Sequence, residues 1–87
     1  MSDPVRCWLV ERSYDDRDVV TLVYATPDGA RYHQRELSAT ALSRTAVTAA
    51  REIPAEELRA VGDEPTRERY AAEAERMAGS HDPEEPV

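Results

Sequence analysis

The sequence has no Lys and no Phe, and it has only one Cys, one Trp and three Gly. A single Cys excludes an intramolecular disulfide and is too few for a zinc site, which needs about four ligands. Since Phe is absent, Trp8 and the Tyr residues must supply most of the large core side chains. The longest apolar run is a few residues, whereas a membrane span needs about 20. The first residues lack a basic segment followed by an apolar run, so we expect no signal peptide and a cytoplasmic location.

The charge is negative and unevenly distributed. The chain has 18 acidic and 11 basic residues, a net charge of −7. Residues 1–51 contain seven acids and seven Arg, so the whole excess lies in residues 52–87. An acidic surface without Lys is suited to concentrated salt, where charge repulsion is screened. We therefore expect a protein of a halophilic cytoplasm; the alternative is that Arg replaces Lys only because the codons are GC-rich.

The first half of the chain predicts a three-stranded antiparallel meander. Val5–Arg12, Val19–Thr26 and Ala30–Leu37 are rich in β-branched and aromatic residues. The segment Thr26-Pro27-Asp28-Gly29 joins the last two, and its Pro, Asp and Gly are the residues that tight turns prefer. The meander is thus the part around which the remaining chain is expected to pack.

The turns propose a register for these strands. A three-residue loop at 27–29 places Tyr24 opposite Tyr32, and an odd-length first loop places Trp8 opposite Tyr24. One face is then apolar and forms the core: Trp8, Val10, Val20, Leu22, Tyr24 and Tyr32. The other face is mixed: Cys7, Leu9, Thr21, Val23, Ala25, Arg31, His33 and Arg35. A shift of one residue would reverse the assignment.

The second half predicts helices. Ser38 can cap a helix that ends at Ile53, before Pro54, although Val47 and Thr48 leave a fourth strand at 46–53 as the alternative. A short helix is expected over 54–61, and a longer one from Asp63-Glu64-Pro65 to Gly79. We therefore predict one α+β domain at residues 1–79, with the helices on one face of the meander. Residues 80–87 are predicted to be a disordered acidic tail.

Two stretches, VRCWLVERSYDDRDVVTLVYATPDGARY and TRERYAAEAERMA, cover most of the chain. In them the sequence resembles small acidic uncharacterised proteins of halophilic archaea. The resemblance implies a haloarchaeal cytoplasmic protein, and it assigns neither an activity nor a site residue.

No residue pattern indicates a catalytic or metal site. His33 and His81 are the only histidines. The proposed register places no nucleophile with a supporting acid near His33, and His81 is expected to lie in a solvated polar tail. The acidic turn at 15–18 lacks the Gly and the distal Glu of a calcium loop. We therefore predict no catalytic residues, no metal, no cofactor and no enzyme activity.

The segment 31–35, RYHQR, is the most informative for binding, because it interleaves Arg and His with an aromatic residue. We predict a non-enzymatic protein-interaction module that binds another protein, or a second copy, through an uncovered sheet face. The alternative is a nucleic-acid-binding module that uses the same strand, and a small enzyme ranks third. The predicted partner-binding residues are Leu9, Thr21, Val23, Arg31, His33 and Arg35.

Overall fold

An antiparallel sheet of five strands forms the centre of the molecule in the computed structural model, which describes residues 3–87. The strand order is β4-β1-β2-β3-β5, and the α+β class is confirmed. The predicted meander is present as β1–β3, but a further strand lies at each edge. The strands are β1 (Pro4–Tyr14), β2 (Val19–Ala25), β3 (Arg31–Ser38), β4 (Ala50–Pro54) and β5 (Arg59–Ala60). The helices are α1 (Ala39–Arg44) and α2 (Glu64–Ser80), with a 3₁₀ turn at Ala55–Glu57.

The β2–β3 turn has four loop residues and not three. The Thr26 amide donates to the Arg31 carbonyl at 3.0 Å, so these two residues close the hairpin. The Thr26 hydroxyl donates to the Asp28 carboxylate at 2.6 Å and accepts from the Arg31 amide at 3.2 Å. Gly29 has a φ of 73°, and a Cβ at this position would overlap the Arg67 backbone of α2. An even loop shifts the register by one residue, so Tyr24 pairs with His33.

This shift makes the predicted register wrong for β2. Trp8 pairs with Ala25, and Tyr24 pairs with Leu9. Paired residues share a face, so Val20, Leu22 and Tyr24 lie with Cys7 and Leu9. The prediction placed the right residues of β1 and β3 together on each face. It placed the residues of β2 on the face opposite to the one that they occupy. Trp8 is buried as predicted, but it packs in a different cluster from Tyr24.

Both faces of the sheet are covered, which corrects the prediction of helices on one face only. One face, which we call the α2 face, packs Trp8, Val23 and Ala25 against Tyr70 and Ala74 of α2, and against Val61. The other, the crossover face, lies under the connection from β3 to β4. Its cluster consists of Cys7, Leu9, Val20, Leu22, Tyr24, Val47 and Ile53, with Leu42 and Leu58 at its margin. The uncovered apolar face that the predicted function required is therefore not found.

A β-bulge in β1 changes the direction of the side chains that follow it. The pairing with β2 shifts between Leu9 and Glu11, so that Val10 has no partner. Beyond the bulge, Glu11 pairs with Val23 and lies on the α2 face, while Arg12 pairs with Leu22. The bulge thus places Arg12 on the crossover face.

The region 39–60 differs most from the prediction. Ser38 caps α1 as predicted, accepting from the Ala41 amide at 3.0 Å, but the helix ends at Arg44. The fourth-strand alternative is the correct one for the end of 46–53, since β4 pairs with β1. The predicted helix at 54–61 is reduced to the 3₁₀ turn and β5. Burial of the β-branched Val47 and Ile53 in the crossover cluster outweighs the helical spacing of the alanines.

The long C-terminal helix is confirmed. The Asp63 carboxylate accepts from the Thr66 amide at 2.9 Å, and Pro65 occupies the first turn. Tyr70 and Ala74 are its buried residues. Helix α2 packs mainly across β1.

Residues 81–87, most of the predicted tail, lie against the outer edge of β4. The Ala49 amide donates to Glu85 O and the Ala50 amide to Pro83 O, both at 2.9 Å. The Val87 amide donates to Val47 O at 2.8 Å. These bonds satisfy backbone groups at the outer edge of β4, which explains why a polar segment packs there. Among residues 3–87, no helix is both long and apolar enough to cross a bilayer.

Candidate functional site

The six predicted binding residues do not form one surface. Leu9 and Val23 are 9% and 3% exposed, and they lie in clusters on opposite faces of the sheet. Thr21 is on the α2 face with Val23, because it pairs with Glu36, next to the Val23–Gln34 pair. Arg31, His33 and Arg35 alternate along β3 on the crossover face. Only these three remain candidates for a common site.

The structure brings two further arginines to the same face, from strands that are distant in sequence. Arg12, Leu22 and Arg35 form one cross-strand row. Arg51 pairs with Cys7, and Arg31 is bonded to Thr26, so this second pair of arginines lies near the hairpin end of the sheet. Adjacent strands are about 4.8 Å apart, so the Cα atoms of Arg12 and Arg35 are about 10 Å apart. We call these four residues the arginine surface: Arg12, Arg31, Arg35 and Arg51.

Tyr24 lies between these arginines. Its hydroxyl donates to Thr48 O at 3.1 Å, and the Arg51 guanidinium is 5.7 Å from the centre of its ring. Burial raises the pKa of Tyr24, and the positive charges of Arg51, Arg35 and Arg12 oppose that rise. All three guanidinium groups therefore lie near enough to the Tyr24 hydroxyl to act on it.

None of the four residues has an ion-pair partner within the described range 3–87. The arginines that do form ion pairs are Arg6 with Glu52, Arg17 with Asp15, Arg67 with Glu64, Arg69 with Glu11, and Arg76 with Glu73. Arg12 donates instead to the backbone oxygen of Val87 at 2.9 Å, and Arg51 stacks on Tyr24. Acids do lie near two of them: hydrogen bonds from Thr26 and Ala30 lower the pKa of Asp28 and Arg31 adds to this effect, and Arg51 lines a pocket with Glu52 and Glu84. Among the described residues, none of these acids forms an ion pair with the four arginines. A guanidinium without an internal partner is available to a carboxylate or a phosphate, which it binds through paired hydrogen bonds.

Cys7 lies beneath this surface and is part of the packing. It is 0% exposed, and burial raises the pKa of its thiol to about 11. The thiol donates weakly to Val5 O at 3.6 Å. A thiol with that pKa stays protonated at neutral pH, so Cys7 contributes volume to the core and no thiolate to the surface.

Of the other titratable residues that the sequence singled out, His33 shares the crossover face and pairs with Tyr24, whereas Asp15 lies in the β1–β2 turn. The His33 ring nitrogen Nδ1 is 3.4 Å from Glu57 O, at the outer side of β3. Asp15 accepts from the amides of Arg17 and Val19 at 2.8 and 3.2 Å, so its carboxylate closes the β1–β2 turn. Within the part of the chain that is described, no group of three or more His, Cys, Asp or Glu side chains is arranged to hold a metal ion.

Sequence reasoning missed two of the four arginines. Arg12 reaches this face only through the bulge at Val10, which has no clear sequence signal. Arg51 reaches this face because β4 is a strand that pairs with β1. Alternate residues of a strand lie on one face, so the fourth-strand alternative, had it been preferred, would have indicated which residues of β4 share a face with Arg51. Arg31 and Arg35 were found because the segment 31–35 interleaves Arg and His with an aromatic residue on a predicted strand.

Comparisons with known proteins add a family and no function. No curated protein and no solved structure matches the chain. One family model matches residues 1–87, and its description is a family of unknown function (DUF7967). The match spans the whole sequence, and the chain therefore belongs to the DUF7967 family.

Proposed function

We propose that this protein is a non-enzymatic interaction module that binds an acidic surface of another protein through its arginine surface. One observation carries the proposal: four arginines from three strands lie on one face of a chain of net charge −7. Among the described residues, none of the four forms an ion pair with an Asp or Glu side chain. Elsewhere in the described range, acids and arginines pair readily. A partner that supplies carboxylates would complete these guanidinium groups.

Partial burial strengthens this argument. Arg35 and Arg51 are half-buried, so water solvates their guanidinium groups less completely than those of fully exposed arginines. A charge that is partly removed from bulk water gains more from a partner charge, because the local dielectric constant is lower. The arginine surface is thus a better site for a carboxylate than an ordinary exposed Arg.

The aromatic residues near the arginine surface differ in whether they could stack on nucleic-acid bases. Single-stranded RNA and DNA are bound by stacking bases on exposed aromatic rings. Tyr24 is buried under Thr48, and Tyr32 packs on the α2 face with the Val23 cluster. Tyr14 differs from both: it is 66% exposed, pairs with Val20 and lies two residues from Arg12 on the same face. The test below therefore includes an oligonucleotide, which decides between a protein and a nucleic-acid partner.

The test uses two defined anionic probes and a charge-matched control. Each probe is fluorescently labelled: a peptide of about ten Glu residues, and a single-stranded oligonucleotide of about ten bases. The test variant is Arg31→Glu with Arg35→Glu, and the control is Arg17→Glu with Arg76→Glu. Both double variants change the net charge equally, but Arg17 and Arg76 are exposed and lie outside the arginine surface. Circular dichroism establishes that all three proteins are folded.

We expect the wild type and the control to bind the acidic peptide, and the test variant to bind it at least about tenfold more weakly. Equal loss in both variants would mean that only net charge matters, which contradicts the proposal. Tighter binding of the oligonucleotide, lost in the test variant, would support the nucleic-acid alternative instead. Sedimentation of the unlabelled wild type shows whether a second copy is the acidic partner.

A further inference from the structure

The outer edge of β3 is only partly covered. Its neighbour β5 has two residues, and it pairs with Arg31 and Tyr32 alone. Of the strands within residues 3–87, no other lies beside this edge. Beyond Tyr32, six residues of β3 therefore lack an outer strand, although they are in regular extended conformation.

The direction of the backbone groups along this edge follows from the pairing. The Thr26 amide bonds to Arg31 O, so the odd-numbered residues of β3 exchange hydrogen bonds with β2. The even-numbered residues point outward, as the bond from the Val61 amide to Ala30 O shows at 2.9 Å. The amide and carbonyl groups of Gln34 and Glu36 therefore face away from the sheet, where an added strand would bond to them.

A groove accompanies these groups. The chain that leads into β5 separates from β3 upstream of Arg59, and the gap between them has a volume of about 590 Å³. Gln34 and Glu36 line one side, and Glu56, Glu57 and Arg59 line the other. The His33 ring lies 3.4 Å from Glu57 O and links the two sides. Sites that bind small ligands have volumes of about 300–1,000 Å³, so the groove has room for a short extended segment.

The opposite edge of the sheet is protected, which makes this opening distinctive. At β4 the outward amide of Ala50 donates to Pro83 O at 2.9 Å. Pro54, at the end of that strand, has no amide hydrogen to offer. Sheet proteins usually protect their edges against pairing with other chains. Here one edge is protected by the C-terminal segment and by proline, and the other is open over Gln34–Glu36.

We propose that the β3 edge groove takes up an extended segment of a partner protein, rich in Lys or Arg, as an additional strand beside Gln34 and Glu36. The charge of the groove selects this occupant. Three of its lining residues are Glu and one is Arg, and within the described residues neither Glu36 nor Glu57 has an ion pair.

A second copy of β3 is a poorer occupant than a basic segment. Antiparallel pairing of two β3 edges, centred on Arg35 or on Glu36, places identical charges opposite each other, which is destabilising. A partner strand in the groove would lie between Glu36 on β3 and Glu57 on the facing wall. Basic residues at alternate positions of that strand would meet these two carboxylates. The backbone supplies the affinity and the carboxylates supply the preference for basic side chains.

The experiment titrates the ¹⁵N-labelled protein with a blocked peptide of alternating Val and Lys, about six residues long. The matched control peptide alternates Val and Glu. We expect the amide signals of Gln34, Glu36 and residues 56–59 to shift with the Lys peptide and not with the Glu peptide. No shift at millimolar peptide, or shifts confined to other surfaces, would overturn the proposal.

Two variants at one position test the added strand directly. Gln34→Pro removes an outward amide hydrogen but no bond to β2, and proline is tolerated at such edge positions. Gln34→Ala keeps that hydrogen. We expect Gln34→Pro to weaken the Lys peptide at least about tenfold and Gln34→Ala to change its affinity less than about twofold. Equal affinities in both variants would overturn the proposal. If Gln34→Pro is unfolded by circular dichroism, the signal mapping on the wild type decides the question alone.

This site is independent of the arginine surface. The variant Arg31→Glu with Arg35→Glu should bind the Lys peptide at least as tightly as the wild type does, since it adds negative charge near the groove. If the acidic peptide does not bind as expected but the Lys peptide does, the proposed function is wrong and the groove proposal stands. If the acidic peptide binds as expected but the Lys peptide does not, the groove proposal alone is wrong.

Discussion

Tyr24 connects the core of the crossover face to its charged surface. Its ring is buried under Arg51, and its hydroxyl bonds to the backbone of the segment that covers the sheet. Tyr24→Phe keeps the ring and removes the bond to Thr48 O, which leaves a partly buried carbonyl without that donor. We expect the free energy of unfolding in urea to fall by about 1 kcal/mol. Tyr14→Phe is the control, because Tyr14 is 66% exposed, and equal effects of the two changes would contradict this role.

Substitution of Gly29 and of Gly79 by Ala should change stability in opposite directions. Gly29 has a φ of 73°, and an added Cβ would overlap the backbone of α2 at Arg67. Gly79 lies inside α2, and nothing lies within 4 Å of an added Cβ. We expect Gly29→Ala to lower the thermal midpoint, with at least about 1–2 kcal/mol of strain. Gly79→Ala should raise stability by up to about 1 kcal/mol. The same direction of change in both variants would contradict the turn geometry.

The individual elements show what could be read from the sequence and what could not. The three strands of the meander, the cap at Ser38 and the helix from Asp63 were predicted from turn residues, caps and periodicity. Local signals of this kind act within a few residues, so they do not depend on the rest of the fold. The register was missed because it depends on one loop residue, Ala30, and on a bulge at Val10. Region 39–60 was missed because tertiary burial of Val47 and Ile53 decides its structure.

Only half of the candidate site could be predicted, because the tertiary packing of the connections decides which face of the sheet is covered. The β3 pattern indicated Arg31, His33 and Arg35, and these three do share a face. Leu9 and Val23 were assigned to an exposed strip because the predicted helices left one face bare. The crossover connection covers that face, and α2 covers the other. No local pattern in the sequence states which face a long connection crosses.

The cap of α2 links this element to pH. The bond from Thr66 to the Asp63 carboxylate holds the pKa of that group below its ordinary value. A carboxyl with a lowered pKa stabilises the fold above its unfolded pKa of about 4, and this contribution is lost as the pH falls through the folded value. Asp63→Ala should therefore lower the thermal midpoint at pH 7, and the difference from the wild type should shrink below about pH 4. Asp3→Ala, a change at an exposed site, is the control. A difference that stays constant down to pH 2 would contradict the role of the charged cap.

At the scale of the whole molecule, the charge is separated between surfaces. The arginine surface lies on the crossover face, and the groove with Glu36 and Glu57 lies at the β3 edge. Helix α2 has four Glu but also three Arg, so it holds little of the net charge. Most of the excess is instead in residues 52–63 and in the C-terminal segment 82–85. Two surfaces of opposite sign suit a module that contacts a partner, or two partners, at separate positions.

This distribution predicts how stability responds to salt. Net charge destabilises a compact state through self-repulsion, and salt screens it over about 3 Å at 1 M. We expect the thermal midpoint to rise between dilute buffer and molar KCl.

The C-terminal segment should carry most of the response, because its acids pack against β4, close to Glu52. Asp82→Asn with Glu84→Gln should therefore reduce the rise more than Glu68→Gln with Glu75→Gln does. The second pair makes the same charge change on α2, where arginines on the same helix already balance the acids. Equal midpoints of the wild type in both solutions would contradict the salt argument, and equal responses of the two variants would show that only net charge matters.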